Sequence, residues 1–397
     1  MPELGQLLSL EYGAALPAER RSGHGFPVFG SNGEVGRHDQ PLVDGPGIVI
    51  GRKGSVGKVC WSEDPFWPID TTYWVKCAAE QRRWIYWLLS RLPLAELDSS
   101  TGVPGLNRND VYELSVFEPP TADEKSQIAA VLDTIDTTIR QTETIIEKLK
   151  QVKQGLLHDL LTRGIDANGE LRPPQSEAPH LYKDSPLGWI PREWTAKPLN
   201  DLVDQRRPVV YGILMPGQGH EGGVPVVKVK DIVGGRILLD QLLLTSPAID
   251  QEYKRSRLAP GDLLFTIRGS VGRTAFVPGQ LEGANITQDT ARVGITGVDA
   301  RFVREYLAMP SPVRFIATHT LGVAVQGINL RDVRRIPIAV PRADEAKAIA
   351  DMLDAASDRI ATEALEAQKL TIAKSGLMDD LLTGRVRVTP LLEAAHA

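Results

Sequence analysis

The 397 residues include only two cysteines, Cys60 and Cys77, with no CxxC pairing, so neither a disulfide framework nor a cysteine zinc site is expected. Long apolar runs are missing as well. The longest, Trp84 to Leu89, has six residues, against about 20 for a helix that crosses a bilayer. The opening MPELGQLLSLEYG has no cationic stretch of the kind that begins a secretory signal, and the expectation is a cytoplasmic chain without membrane attachment. The histidines His24, His38, His158, His180, His220, His319 and His396 show no HExxH or other metal spacing, and there is no GxSxG elbow. No excess of positive charge exists: the net charge is −5, and only residues 164–343 hold more cations than anions. A nucleic-acid partner would have to be met by local patches.

What is present describes a folded protein. Hydrophobic residues make up 42% and charged residues 24%, and the length suggests two or three units. The 36 glycines and 28 prolines imply many turns, which argues against an all-helical bundle.

The chain repeats itself. Lys53-Gly54-Ser55-Val56-Gly57-Lys58 returns as Arg268-Gly269-Ser270-Val271-Gly272-Arg273, with every glycine and charge kept. Ile69-Asp70-Thr71 is matched to Gln288-Asp289-Thr290, and Gly105-Leu106-Asn107 to Gly327-Ile328-Asn329. Glu124, Ile128, Ala129, Leu132, Asp133 and Ile139 recur 221 residues later as Glu345, Ile349, Ala350, Leu353, Asp354 and Ile360. The same offset carries the Leu160-Leu161-Thr162 end onto Leu381-Leu382-Thr383. Two large units follow.

Each unit has a front part of short β-favouring runs that end in glycine turns, such as Gly47-Ile48-Val49-Ile50 and Leu263-Leu264-Phe265-Thr266-Ile267. Each back part, 124–162 and 345–383, lacks proline and carries apolar residues alternately three and four apart. That spacing is a coiled-coil seam, and at about 1.5 Å per residue the first would run roughly 58 Å. Neither helix can bury its seam alone, so the two are expected to pack antiparallel. Thr142 with Glu363, and Lys153 with Lys374, interrupt both seams at matching places, either as solvated positions or as a layer that sets the register. Pro173, Pro174, Pro179 and Pro186 mark 164–185 as an exposed linker.

Catalytic signatures fail one by one. In Gly51 to Val59 five residues separate the glycines of a would-be phosphate loop, and Val59 stands where Ser or Thr would hold magnesium. Asp64-Pro65-Phe66-Trp67 is similar to the base-holding loop of amino-methyltransferases, but it lacks the second proline and has no second copy.

Taken together these residues resemble the specificity subunit of type I restriction-modification enzymes. The likeness rests on Pro27-Val28-Phe29-Gly30-Ser31-Asn32-Gly33, Ile50 to Lys58, Pro68 to Tyr73, Gly188 to Trp194 and the Leu-Leu-Thr helix ends, and it covers nearly the whole chain. It implies a mixed α/β fold: two target-recognition domains separated by two long antiparallel coiled-coil helices in a pseudo-twofold internal repeat. The expected divisions are recognition domain 1 at 1–122, spacer helix 1 at 123–163, the linker at 164–185, recognition domain 2 at 186–343, spacer helix 2 at 344–385 and a tail at 386–397. The resemblance also implies a non-enzymatic chain that reads a two-part asymmetric site in double-stranded DNA. Two modification subunits using S-adenosylmethionine would methylate adenine, and restriction/translocase subunits would use ATP, with no cofactor in this chain. A coiled-coil scaffold that binds proteins is the alternative, and behind it a stand-alone methyltransferase or nuclease.

Phosphate contacts position a protein on DNA and base-edge contacts specify, so cations beside glycine turns, with amides and hydroxyls nearby, are the candidates. These are Lys53, Ser55 and Lys58 with Arg268, Ser270 and Arg273. Thr71 and Thr290 join them as hydroxyls, and Asn32, Asn107, Gln326 and Asn329 as amides suited to adenine. Lys228 and Lys230 would alternate on a strand and track phosphates from one face.

Overall fold

The computed structural model describes residues 1–97, 105–322 and 326–389. Of the tail expected at 386–397, residues 390–397, with His396, lie outside the described residues. The α-helices are α1 (Arg82–Arg91), α2 (Arg108–Tyr112), α3 (Ala122–Thr162), α4 (Pro247–Glu252), α5 (Ala300–Leu307), α6 (Pro310–His319), α7 (Leu330–Arg334) and α8 (Ala343–Leu382). The chain divides into two compact units, one of residues 1–146 with 362–397 and the other of residues 147–361. Each long helix is therefore shared, and each unit holds part of both.

In unit 1 the strands are β1 (Ser9–Tyr12), β2 (Phe26–Gly30), β3 (Gly33–His38), β4 (Gly47–Gly51), β5 (Val59–Ser62), β6 (Trp67–Pro68) and β7 (Thr72–Lys76). One sheet has the order β1-β7-β4-β5 and is antiparallel throughout; the other has the order β3-β2-β6, with β2 and β6 parallel. Unit 2 repeats the design. Val210–Tyr211, Thr290–Val293, Leu263–Thr266 and Thr274–Phe276 form the four-stranded sheet in the same order. Leu243–Thr245, Val224–Val227 and Asn285–Ile286 form the three-stranded one, again with one parallel pair.

In each unit the sheet's inner face and one of the shorter helices close on both long helices. Unit 1 buries Ile48, Ile50, Trp84 and Trp87 with Ile128 and Leu132 of α3 and Leu381 and Leu382 of α8. Unit 2 buries Trp194, Phe265 and Phe302 with Leu160 and Leu161 of α3 and Ile349 and Leu353 of α8. In both, the start of one long helix meets the end of the other, which is the antiparallel pairing the seams require. The Thr121 hydroxyl accepts from the Glu124 amide at the start of α3 (3.2 Å). Past the helix ends, Gly164 and Gly384 take φ of +63° and +74°, where a side chain would be strained.

Repeated charges anchor the parts. Asp133 of α3 accepts from Arg83 Nε (2.7 Å) and Trp87 Nε1 (2.8 Å), and its repeat mate Asp354 of α8 accepts from Arg301 Nη1 (2.8 Å). Lys374, one of the seam interruptions, ion-pairs with Asp136 (2.5 Å) and lies 4.8 Å from the Trp87 ring centre, so this polar position is paired rather than left to solvent. Burial pushes the Asp136 carboxyl up, but hydrogen bonds from Lys374 and Arg140 outweigh it and hold the group below the usual carboxylate range. A carboxyl whose pKa is depressed by folding stabilises above its unfolded value, near about 4, and that contribution is lost as pH falls through the folded pKa. The urea midpoint is accordingly expected to drop in acid below about pH 4, and Asp136→Asn to flatten that drop. An unchanged pH profile in the variant would remove Asp136 from the account.

The region read as an exposed linker is folded. Ile165 bridges to Leu171, Tyr182–Lys183 pairs with Ile190–Pro191, and Ile165, Arg172, Ala178 and Tyr182 are buried within unit 2. Its prolines shape turns, and Arg172 draws it inward by bonding Glu345 at the start of α8.

Candidate nucleic-acid interface

The glycine loops form one substructure, built twice from main-chain bonds. In unit 1 the Gly51 amide donates to the Lys58 carbonyl and the Gly57 amide to the Gly51 carbonyl, each at 2.9 Å, closing residues 51–58 on themselves. The Arg52 and Lys53 amides both donate to the Thr71 carbonyl, and the Leu106 amide donates to the Arg52 carbonyl. Segments far apart in sequence thereby meet. In unit 2 Thr266 bonds Arg273, Gly272 bonds Thr266, the Ile267 and Arg268 amides donate to the Asp289 carbonyl, and Ile328 bonds Ile267. Thr266 replaces Gly51, and its hydroxyl donates to the Ser270 carbonyl and accepts from the Arg273 amide.

These bonds correct the sequence match. Asp289 stands where Thr71 does, so Thr290 corresponds to Thr72, one residue off the expected pairing. Thr290 opens a strand and, like Thr72, is fully buried, so its hydroxyl cannot meet a base edge. The match failed because the equivalence lies in carbonyl positions, which any residue can supply. Thr71 itself is half-buried and contributes its carbonyl.

The cations of both loops lie at the surface. Lys53 and Lys58 are exposed, and Lys58 donates to both the carbonyl and the Oδ1 of exposed Asn32, each at 2.8 Å, tying the β2–β3 turn to the loop. Arg268 and Arg273 are exposed; Arg268 reaches Gln288 Oε1 at 3.4 Å and Arg273 the Ile232 carbonyl at 3.4 Å. Ser55 is half-buried and Ser270 exposed, each inside its loop. Gln326 is exposed, and its carbonyl accepts from Gly269 (2.8 Å). Asn107 is exposed but occupied: its Oδ1 accepts from the Asn109 amide and its Nδ2 donates to Asp110, capping α2. Asn329 precedes α7 at the equivalent point without such a side-chain bond. It lines a groove of about 750 Å³ with Tyr211, Arg268 and Gln288.

Lys228 and Lys230 do not alternate on a strand. The strand ends at Val227, and the Asp231 carboxylate accepts from the Lys228 amide (2.8 Å), winding 229–231 into a 3-10 turn. Both lysines still line one shallow groove, of about 400 Å³, with His220, Glu221 and Gln241.

Residues the sequence reading passed over complete the surface. Tyr12, at the end of β1, lies opposite Tyr73 with ring centres 5.2 Å apart, and the Arg52 and Arg108 guanidinium carbons each sit 5.3 Å from the Tyr12 ring centre. Burial, with the neighbouring Tyr12 hydroxyl, pushes the Tyr73 hydroxyl up to about 12. It donates to the Leu106 carbonyl (3.1 Å). Tyr12 is exposed, beside two guanidinium groups.

The loops differ in tolerance. Gly57 (φ +75°) would place a Cβ 2.6 Å from the Ala95 amide nitrogen, whereas Gly272 (φ +91°) faces open space. Both alanine variants carry the backbone penalty of about 1 kcal/mol or more, and only Gly57→Ala adds a clash with main chain. Gly57→Ala is expected to lower stability by clearly more than Gly272→Ala in urea unfolding; equal losses would contradict the packing described.

Among the described residues no group of three or more His, Cys, Asp or Glu could hold a metal, and no helix is long and apolar enough to cross a membrane. Residues 2–151 match the family model described as type I restriction modification DNA specificity domain. The chain is similar to the type I restriction enzyme EcoBI specificity subunit of Escherichia coli, 24% identical over 305 residues, 75% of this chain and 64% of the relative. It is similar to the MjaVIII specificity subunit of Methanocaldococcus jannaschii, 24% identical over 297 residues, 73% of this chain and 66% of the relative. The match thus spans just under two thirds of these relatives. Among solved structures, a type I restriction-modification S subunit from M. genitalium has the same fold at TM-score 0.60 and 15% identity, over 96% of this chain and 95% of that one. A chain from a structure on assembly and conformational transition of the type I system aligns at TM-score 0.55 and 15% identity, over 97% of each.

Proposed function

We propose that this chain, a member of the type I restriction-modification specificity-subunit family, is the DNA-reading subunit of such a complex and reads a two-part asymmetric site, one part with each unit. The observation that carries this is the duplicated loop: the same main-chain bonds present exposed cations, Lys53 and Lys58 or Arg268 and Arg273, beside a segment that ends in Asn107 or Asn329. Glycine brings backbone close to a ligand, the cations suit phosphates, and the amides suit base edges. The chain carries no catalytic role in this reading. Two modification subunits holding S-adenosylmethionine would methylate adenine, and restriction/translocase subunits using ATP would cleave.

The test is selection of random-sequence duplexes by the full chain assembled with its modification subunits. The expected result is enrichment of a motif in two separated, unlike halves. Equal retention of all sequences would favour a protein-binding scaffold instead.

A further inference from the structure

We propose that Tyr12 and Tyr211 are the specificity-determining aromatic contacts of the two units, each touching the base pairs of its own half-site. This rests on the DNA-reading function proposed above. The two tyrosines lie 199 residues apart, an offset that matches none of the sequence repeats, yet strand register makes them equivalent. Tyr12 pairs with Tyr73, the residue after Thr72, and Tyr211 pairs with Ala291, the residue after Thr290. Thr72 and Thr290 are themselves equivalent by the bonds of the glycine loops.

Both residues are more than half exposed, 54% and 51%, each at the end of its strand. A large aromatic left in water gives the fold little, and its appearance at the same point of both sheets points to a ligand. The neighbours agree. Tyr12 is bracketed by Arg52 and Arg108, and Tyr211 shares its groove with Arg268, Gln288 and Asn329. A ring beside guanidinium groups on a DNA-reading surface is placed to meet bases, by stacking or by edge contact. The surroundings also differ: guanidinium groups flank Tyr12, while exposed Leu214 and Leu321 flank Tyr211, so the two halves read would not be alike.

The experiment is duplex selection with the full chain and its modification subunits, comparing wild type with Tyr12→Ala, Tyr211→Ala and the ring-keeping Tyr12→Phe and Tyr211→Phe. Removal of a base-reading side chain corresponds to about tenfold or more in discrimination. Tyr12→Ala is expected to cost about that factor in one half of the enriched motif and leave the other intact; Tyr211→Ala should do the converse, and the Phe variants should keep both. Survival of both halves in either Ala variant would overturn the assignment, as would loss of both halves together. A second readout uses the wild type alone: nitration of Tyr12 and Tyr211 should be suppressed by the enriched duplex and not by a scrambled one, and unsuppressed nitration overturns the proposal whatever the variants do. A wild type that enriches no motif would sink the DNA-reading function itself, a result distinct from a discriminating wild type whose variants discriminate equally.

Discussion

Glu345→Ala is expected to cost about 3–5 kcal/mol in urea unfolding, the largest stability effect of any single side chain considered. The carboxylate sits at the start of α8, 8% exposed, and collects four bonds. Oε1 accepts from Arg172 Nη1, from the Ile165 amide (3.0 Å) and from Trp194 Nε1 (3.0 Å), and Oε2 accepts from Arg172 Nη2 (3.3 Å). Removing it strands two buried donors and leaves the buried Arg172 guanidinium with only the Arg163 carbonyl (3.2 Å) and the exposed Glu193 carboxylate (3.5 Å), a penalty that exceeds the net worth of the pair. Gly164 has no side chain for the same reason, since a Cβ there would lie 2.3 Å from Glu345 Oε1. The repeat supplies a control. Glu124, at the start of α3, accepts from Arg387 and Thr389 after the end of α8, but Arg387 is 45% exposed. Water can take over that charge, so Glu124→Ala should cost about 1–3 kcal/mol. Equal costs, or a loss below about 1 kcal/mol for Glu345→Ala, would show that the clamp does not hold the helix start.

Replacing Lys53, Lys58, Arg268 and Arg273 together by alanine is expected to give the largest effect on binding. Each phosphate neutralised by a cation releases condensed counterions, so the slope of log K against log salt should shrink by about 0.9 for each phosphate left without its cation, and affinity near physiological salt should fall by about two to three orders of magnitude. The loss should be similar for cognate and scrambled duplexes, because phosphates carry no sequence information. Fluorescence anisotropy at several salt concentrations with the assembled complex measures both quantities. Lys58 is the one whose loss should also loosen local structure, since it ties down Asn32. An unchanged salt slope would mean that the loops face solvent and keep an edge soluble, nothing more.

Which features could be read from the residues follows from where the physics lies. The long helices were legible because a proline-free seam depends on side chains and spacing, and α3 and α8 fall at Ala122–Thr162 and Ala343–Leu382. The glycine loops were legible because a positive φ, as at Gly54, Gly57, Gly269 and Gly272, selects one residue type. Thr290 was misplaced because the bonds that define the equivalence end on carbonyls, which leave no trace in residue identity. The folded state of 164–185 was missed because its prolines read as linker while its anchor, Arg172, has its partner Glu345 at a separation no local pattern reveals. Tyr12 and Tyr211 were invisible for a related reason, since strand register equates them and no sequence offset does. Asp133 and Asp354 stand between these cases: they were visible as repeats, but only the fold supplied Arg83 and Arg301 as their partners.

The most direct measurement is base-resolution sequencing of methylated adenine in the source genome with this gene intact and deleted. If the two units each read half of one site and direct methylation by partner subunits, deletion removes methylation at a single two-part motif and leaves every other methylated motif as it was. Unchanged methylation, with the chain expressed and its partner genes intact, would contradict the account.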